Sequence, residues 1–305
     1  MLELQGIHKT FNIGTVNEKK ALVDLNLKIN DGDFITVIGG NGAGKSTMLN
    51  IIAGVFTPEE GKITIDGVEV KKKKSAKKYS SVKGNANENE VDSAENTVVE
   101  NQEDNSTVLD ITKMPEYKRA SMIGRVFQDP MVGTAANMSI EENLALANRR
   151  GKMRGLRWNI KKEEREYFRE KLKMLDLNLE DRLTTKVGLL SGGQRQALTL
   201  LMASLIKPKV LLLDEHTAAL DPKTASKVLS LTEEITSKDK ITTVMTTHNM
   251  KDAITYGNRL IMMMNGSIIY DVSGEEKKNL TVKDLLLKFE QNSNDEFAND
   301  RMLLS

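Results

Sequence analysis

The chain has 305 residues, with 44 Lys plus Arg against 43 Asp plus Glu and a formal net charge of +1. That length suits one large α/β domain or two small ones, and the balanced charge gives no electrostatic ground for a polyanionic partner. Cysteine is absent, which excludes disulfides and thiolate metal sites and fits a reducing cytoplasm. No apolar run approaches the ~20 residues of a spanning helix. Met1–Gln5 lacks the basic start and apolar core of a signal peptide. Contact with a membrane is therefore expected to run through another protein.

The first elements are strands. Leu2–Ile7 and Ala21–Ile29 alternate apolar with polar residues, and Phe34–Ile38 is a compact apolar strand. A glycine-rich turn follows. Lys45–Ala53 then carries Met48, Leu49, Ile51 and Ile52 at helical spacing and ends at Gly54. Lys62–Val70 returns to strand, with Asp66-Gly67 as a turn signal.

Residues 71–110 open with Lys71–Lys74 and continue through Asn, Ser and Glu, basic in front and acidic behind. So little apolar surface cannot offset the entropy of ordering, and the stretch reads as a disordered insertion. Its removal is expected to join Val70 to Ile111 as one segment.

Met122–Phe127 is a strand, and residues 138–205 are mainly helical, with Phe168, Leu172 and Leu175 as apolar positions. Val210–Leu213 and Ile241–Met245 have the continuous apolar character of buried parallel strands. Ile261–Met264 and Ser267–Tyr270 flank Asn265-Gly266, the signature of a tight hairpin. Thr281–Phe289 is a short amphipathic helix, and residues 291–305 form a polar tail.

Gly39-Gly40-Asn41-Gly42-Ala43-Gly44-Lys45-Ser46 fits G-x-x-x-x-G-K-[ST] between a strand and a helix. Glycines let backbone N–H groups face phosphate oxygens, and the helix start adds partial positive charge. Lys45 suits the β- and γ-phosphates and the Ser46 hydroxyl suits Mg²⁺. This loop alone leaves GTPases, kinases, helicases and transport ATPases open. Val210–Leu213 runs into Asp214-Glu215, which places two carboxylates at the C-terminal edge of a sheet. Asp214 suits Mg²⁺, and Glu215 suits a base for water. Ser191, Gly192, Gly193 and Gln194 form a capped helix start whose N–H groups are open to an anion.

The ordered set resembles the ABC (ATP-binding cassette) ATPases over residues 1–290, the insertion excluded. It comprises the phosphate loop, Gln128 in Val126-Phe127-Gln128-Asp129-Pro130, Leu190–Gln194, Val210–Glu215, Ala219-Leu220-Asp221 and Thr246-Thr247-His248. The resemblance implies an α/β P-loop NTPase fold with a RecA-like core, an antiparallel β subdomain and a helical subdomain at about 131–205. It implies that Phe11 stacks on adenine, Val16 lines the ribose, and Lys45, Ser46 and Thr47 hold phosphate and metal. Gln128 would meet Mg²⁺ or the attacking water and report to the membrane partner. Glu215 would be the general base and His248 the sensor of the γ-phosphate. Ser191, Gly192 and Gly193 would complete the site of a second subunit, head to tail, with ATP between the chains and Asp221 in the linking D-loop.

One departure is His216, where the family usually has proline. The expected Mg²⁺ ligands are oxygens (Ser46, Gln128, Asp214), which disfavours His216 as a ligand. His8 reads as a surface strand residue and Met262–Met264 as core strand. Trp158, among Arg154, Arg157 and Lys161, reads as part of a solvated helical face.

One phosphate loop and no heptad insertion separate this chain from the translation-factor and chromosome branches of the family. A transporter ATPase with membrane permease subunits on other chains is the expectation, the cassette acting as a homodimer or paired with another cassette. Asp214–Pro222 and Arg149–Lys152 resemble bacterial cassettes of importers that depend on a solute-binding protein, with amino acids, aromatic ones included, as cargo. The alternatives are an exporter motor, or a soluble ABC ATPase acting on nucleic acid or ribosomes.

Overall fold

The computed structural model describes residues 1–66, 98–99, 108–152 and 160–292. In chain order the elements are β1 (Leu2–Phe11), β2 (Lys19–Ile29), β3 (Phe34–Ile38), α1 (Lys45–Ala53), β4 (Glu60–Asp66), β5 (Val98–Val99) and β6 (Val108–Asp110). There follow α2 (Glu116–Arg119), β7 (Ile123–Val126), α3 (Ile140–Asn148), α4 (Lys162–Lys173), α5 (Gly192–Ser204), β8 (Val210–Asp214) and α6 (Pro222–Lys238). The chain closes with β9 (Thr242–Thr246), α7 (Met250–Thr255), β10 (Arg259–Met264), β11 (Ser267–Ser273), α8 (Gly274–Lys278) and α9 (Val282–Asn292).

Two sheets result. The larger runs β11-β10-β3-β9-β8-β7 and is parallel from β10 to β7, with β11 antiparallel at its edge. Its central strands are buried on both faces, as Val210, Leu211, Leu212 and Leu213 show at no more than 2% exposure. Parallel alignment has a direct consequence: β3, β7, β8 and β9 all end at one edge. The segments following Ile38, Val126, Asp214 and Thr246 therefore emerge side by side, where open α/β sheets bind ligands. The hairpin between β10 and β11 turns at Asn265 (φ 48°) and Gly266 (φ 82°), the double left-handed turn that Asn-Gly favours.

The smaller sheet runs β2-β1-β4-β6-β5 and is antiparallel. Its inward residues, Leu2, Leu4, Ile7, Leu25 and Ile63 among them, share one apolar cluster with Met48, Leu49, Ile51 and Ile52 of α1 and with Ile35 and Val37 of β3. Helix α1 is thus clasped between the sheets. On the opposite face of the larger sheet, Val126, Leu211, Leu213 and Met245 pack with Leu144, Phe168, Leu172, Leu198 and Leu201 of the helical region.

Three helices that begin at functional segments end on a cation from elsewhere. Arg119, 1% exposed, donates to Ile51 O and Ile52 O at the end of α1, and to Met114 O and Thr112 O. Arg150 donates to Ala203 O and Ile206 O after α5. Lys277, 3% exposed, donates to Ile254 O, Tyr256 O and Gly257 O after α7. Terminal carbonyls that lack intrahelical partners are satisfied in this way, with a charge of the sign the helix dipole favours.

Several expectations are corrected in detail. Residues 98–99 and 108–110, placed by the sequence reading in a disordered insertion, are strand. β6 pairs antiparallel with β4 (Asp66↔Val108, Ile65↔Leu109, Thr64↔Asp110), and Leu109 is 6% exposed. The two flanks therefore reverse direction across a strand pair and do not continue one segment. A short apolar pair bordered by polar residues gives no periodic signal, yet it is buried by its neighbours. Residues 67–97 and 100–107 lie outside the described residues, as do Trp158 and positions 293–305. The last helix runs to Asn292, past the expected end at Phe289.

Candidate active site

Helix α1 starts directly from the glycine-rich loop. Gly44 is its N-cap with φ at +102°, and a Cβ there would lie 2.6 Å from Ala21 O and 2.9 Å from Leu22 Cδ2. Only glycine meets both the backbone and the space requirement. Lys45 is 5% exposed. Its Nζ donates to Gly39 O at 2.7 Å and Gly40 O at 3.4 Å, and lies 3.7 Å from Glu215 Oε1. Burial lowers the Lys45 pKa, with Glu215 and Asp214 opposing.

Asp214 ends β8. Its Oδ1 accepts from Ser46 Oγ at 3.1 Å and from Thr246 Oγ1 at 3.1 Å. The phosphate loop is therefore tied to the acidic strand end by a serine hydroxyl. Glu215 follows with φ +44°, a left-handed backbone uncommon outside glycine. Its N–H is held by Thr246 O at 3.2 Å and Thr246 Oγ1 at 3.0 Å. Such a conformation persists only where the surroundings over-determine it, and it aims the side chain at the loop. Glu215 Oε2 lies 2.5 Å from His248 Nε2. Burial pushes the Glu215 pKa up, but the His248 hydrogen bond and charge and the Lys45 ammonium outweigh it and hold the carboxyl below its usual range. Glu215 is thus an ionised, buried carboxylate beside the phosphate loop, able to accept a proton from water.

A cavity of about 340 Å³ joins these groups; its walls include Phe11, residues 40–47, Glu215 and His248. Gly40, Asn41, Gly42, Ala43, Gly44, Lys45, Ser46 and Thr47 are thus brought together with the acid and the histidine. Gly39 sits behind, offering its carbonyl to Lys45. Phe11 is braced edge-on by Phe56, with ring centroids 5.2 Å apart. Val16 is fully exposed and is not on the cavity wall, which Lys19 and Ala21 help to build. Lys19 was not singled out in the sequence because nothing in the β2 pattern separates it from its neighbour Lys20. Thr246, which fixes both Asp214 and the Glu215 backbone, read only as strand.

Gln128 and residues 191–194 do not line this cavity. Gln128 is exposed, and the preceding Phe127 O accepts from Gln196 Nε2 of α5 at 3.1 Å. Ser191 caps α5 in a reciprocal box with Gln194. A Cβ on Gly193 would overlap Thr224 Cγ2, and Thr224 N–H is held by the Asp221 carboxylate. The start of α5 and the start of α6 are therefore packed together.

His216 is 1% exposed, with Nε2 3.1 Å from Thr232 Oγ1. Thr232 Oγ1 donates its own hydrogen to Val228 O, so His216 Nε2–H must be the donor and Nδ1 the bare nitrogen. The residue is a neutral core side chain that takes no part in the cavity wall. Burial lowers its pKa to about 4. A folded pKa below the unfolded value gives stability that is present above pH 6.5 and lost as pH falls towards 4. The full span is worth about 3 kcal/mol. Replacing His216 with Leu is expected to remove that acid-side loss. Urea unfolding at pH 7 and pH 4 reads it, and equal pH slopes for variant and parent would contradict it.

The donor set suits a hard divalent cation. Ser46 Oγ and Asp214 Oδ1 are oxygen donors 3.1 Å apart beside the loop. Among the described residues no cluster of three His, Asp or Glu could cage a metal alone. Substrate oxygens would have to share the coordination, the usual situation for Mg²⁺ at phosphates.

Known proteins resemble this arrangement throughout. The family profile described as ABC transporter matches residues 22–218. The tyrosine transport ATP-binding protein of Clostridioides difficile is 40% identical over 290 residues, spanning 95% of this chain and 99% of that one. The methionine import ATP-binding protein MetN of Streptococcus agalactiae is 29% identical, spanning 95% of this chain and 73% of that protein. Among solved structures, the dimeric post-hydrolysis state of the cassette MJ0796 bound to ADP and Pi superposes with a TM-score of 0.65 at 28% identity, covering 90% of this chain and 98% of that one. MJ0796 is a protein of Methanocaldococcus jannaschii. With an α/β P-loop core, an antiparallel sheet and a helical region in place, the chain belongs to the ABC transporter family as an ATP-binding, ATP-hydrolysing cassette.

Proposed function

We propose that the chain powers import of a small solute, in the amino-acid class, through permease subunits on separate polypeptides. The observation that carries the motor half is the Glu215 carboxylate, ionised and held by His248 and Lys45 at the wall of the phosphate-loop cavity. In this reading Phe11 stacks on the base, and residues 39–47 hold the phosphates. Ser46, Asp214 and Gln128 would hold Mg²⁺, whose chemistry there is to neutralise phosphate charge. Glu215 takes the proton of the attacking water and His248 holds the Glu215 carboxylate in place. Ser191, Gly192, Gly193 and Gln194 stand outside this cavity, which supports a site completed by the 191–194 segment of a second copy. Asp221 then sits where the two halves meet.

The transport half draws on the named relatives, which serve tyrosine and methionine. It also draws on Met131 and Val132, 51% and 61% exposed, just after Gln128. Apolar residues displayed beside a site residue suit a protein partner. None of the described helices is long and apolar enough to cross a membrane. In this reading the permease spans the membrane and a solute-binding protein delivers the solute to it. Affinity purification of the full chain from solubilised membranes of its host is expected to bring down a polytopic membrane protein. Recovery of ribosomal RNA or DNA in its place would overturn the transport reading and favour the nucleic-acid alternative.

A further inference from the structure

Arg125 places a guanidinium where the chemistry of the site calls for acids and hydroxyls. It lies on β7 opposite Leu212 of β8, and side chains two apart on a strand share a face, so Arg125, Leu212 and Asp214 all point to the α1 side of the sheet. Its NH2 lies 3.7 Å from Asp214 Oδ2, while Asp214 Oδ1 serves Ser46 and Thr246. Both partners are nearly enclosed, at 13% and 14% side-chain exposure, so their attraction is only weakly screened.

The pair is close yet not locked. Its separation exceeds hydrogen-bond length, and Arg125 Nε is buried without a hydrogen-bond partner. What positions the guanidinium is the Phe127 ring, 4.4 Å from Arg125 Cζ. Phe127 immediately precedes Gln128, and its carbonyl is fastened to Gln196 of α5.

We propose that Arg125 is a positioning residue that competes with the divalent cation for the Asp214 carboxylate, and that its stacking on Phe127 couples that competition to the Gln128 segment. The guanidinium beside Oδ2 would weaken the hold of the Asp214 carboxylate on a dication at Oδ1 and repel it. Movement of Phe127 draws the guanidinium away from the acid or returns it. Arg125 thereby sets the metal concentration at which the site loads. The inference rests on the nucleotide-site reading above.

The test is a Mg²⁺ titration of ADP binding to the full-length chain, read by calorimetry at fixed nucleotide. Arg125→Met is expected to lower the half-saturating Mg²⁺ concentration roughly 3- to 10-fold, the scale of one partly buried charge pair. Arg125→Lys, which keeps the charge but not the planar stack, should fall between the parent and Arg125→Met. Phe127→Leu, which keeps the charge and removes the stacking, should shift in the same direction as Arg125→Met by a smaller factor. An unchanged or raised half-saturation in Arg125→Met overturns the proposal. If that variant does not fold, Phe127→Leu decides, and an unshifted value there overturns it equally. Absence of Mg²⁺-dependent ADP binding in the parent would instead overturn the site reading itself.

Discussion

Glu215→Gln is expected to abolish turnover while leaving ATP binding intact. The amide keeps the shape and can still accept a hydrogen bond from His248 Nε2, now 2.5 Å from Glu215 Oε2. It cannot take a proton from water. General-base loss of this kind costs about 10²- to 10⁴-fold in kcat. The Lys45–Glu215 attraction across 3.7 Å also disappears, which frees the ammonium for phosphate, so nucleotide affinity should hold or rise. Phosphate release and equilibrium ATP binding on one preparation separate the two effects. Near-parental hydrolysis would remove Glu215 from the role of base.

Arg119→Met is the substitution expected to cost most stability. The side chain is 1% exposed and donates to four carbonyls, at 2.7, 2.7, 2.8 and 3.0 Å. Methionine fills similar space but leaves Met114 O, Ile51 O, Ile52 O and Thr112 O without that donor. A loss of about 3 kcal/mol follows from several buried acceptors stranded together, reduced by the guanidinium that no longer has to be desolvated. The consequence reaches the site, because α1 carries the phosphate loop at its other end, and a Cβ on Gly54 just beyond it would lie 2.8 Å from Arg119 Nε. Urea unfolding measures the loss. A change under about 1 kcal/mol would show that water or backbone relaxation satisfies the carbonyls.

The contrast between these two residues shows what the sequence discloses. Asp214-Glu215 was legible because an apolar strand running into two carboxylates has one sensible placement, at a sheet edge. The phosphate loop, the Ser191 cap and the Asn265-Gly266 turn were legible for the same reason: each is a local backbone requirement written into adjacent residues. Arg119, Arg150 and Lys277 were not. A cation in a polar stretch normally faces solvent, and nothing near Arg119 in sequence indicates that the carbonyls of Ile51 and Ile52 await it.

Val108-Leu109 failed for a related reason, being a strand made by its partner Ile65 and not by its own pattern. Val16, carried over by family resemblance, stands in solvent, while Lys19 and Ala21 take places on the cavity wall. His216 neighbours the acidic pair Asp214-Glu215 in sequence, which alone suggests a place at a metal site. Its burial against Thr232 is a tertiary fact.

If one catalytic centre is made of the phosphate-loop half of one copy and the Ser191 half of another, two inactive variants should complement each other. Mixing two inactive variants tests it most directly: Glu215→Gln, which lacks the base, and Ser191→Arg, which blocks the 191–194 segment. In a mixed pair one site carries both lesions and the other carries none. Little phosphate release is expected from either variant alone, with a clear return of hydrolysis on mixing. Mixtures as inactive as their components, under conditions where the two chains demonstrably pair, would contradict it.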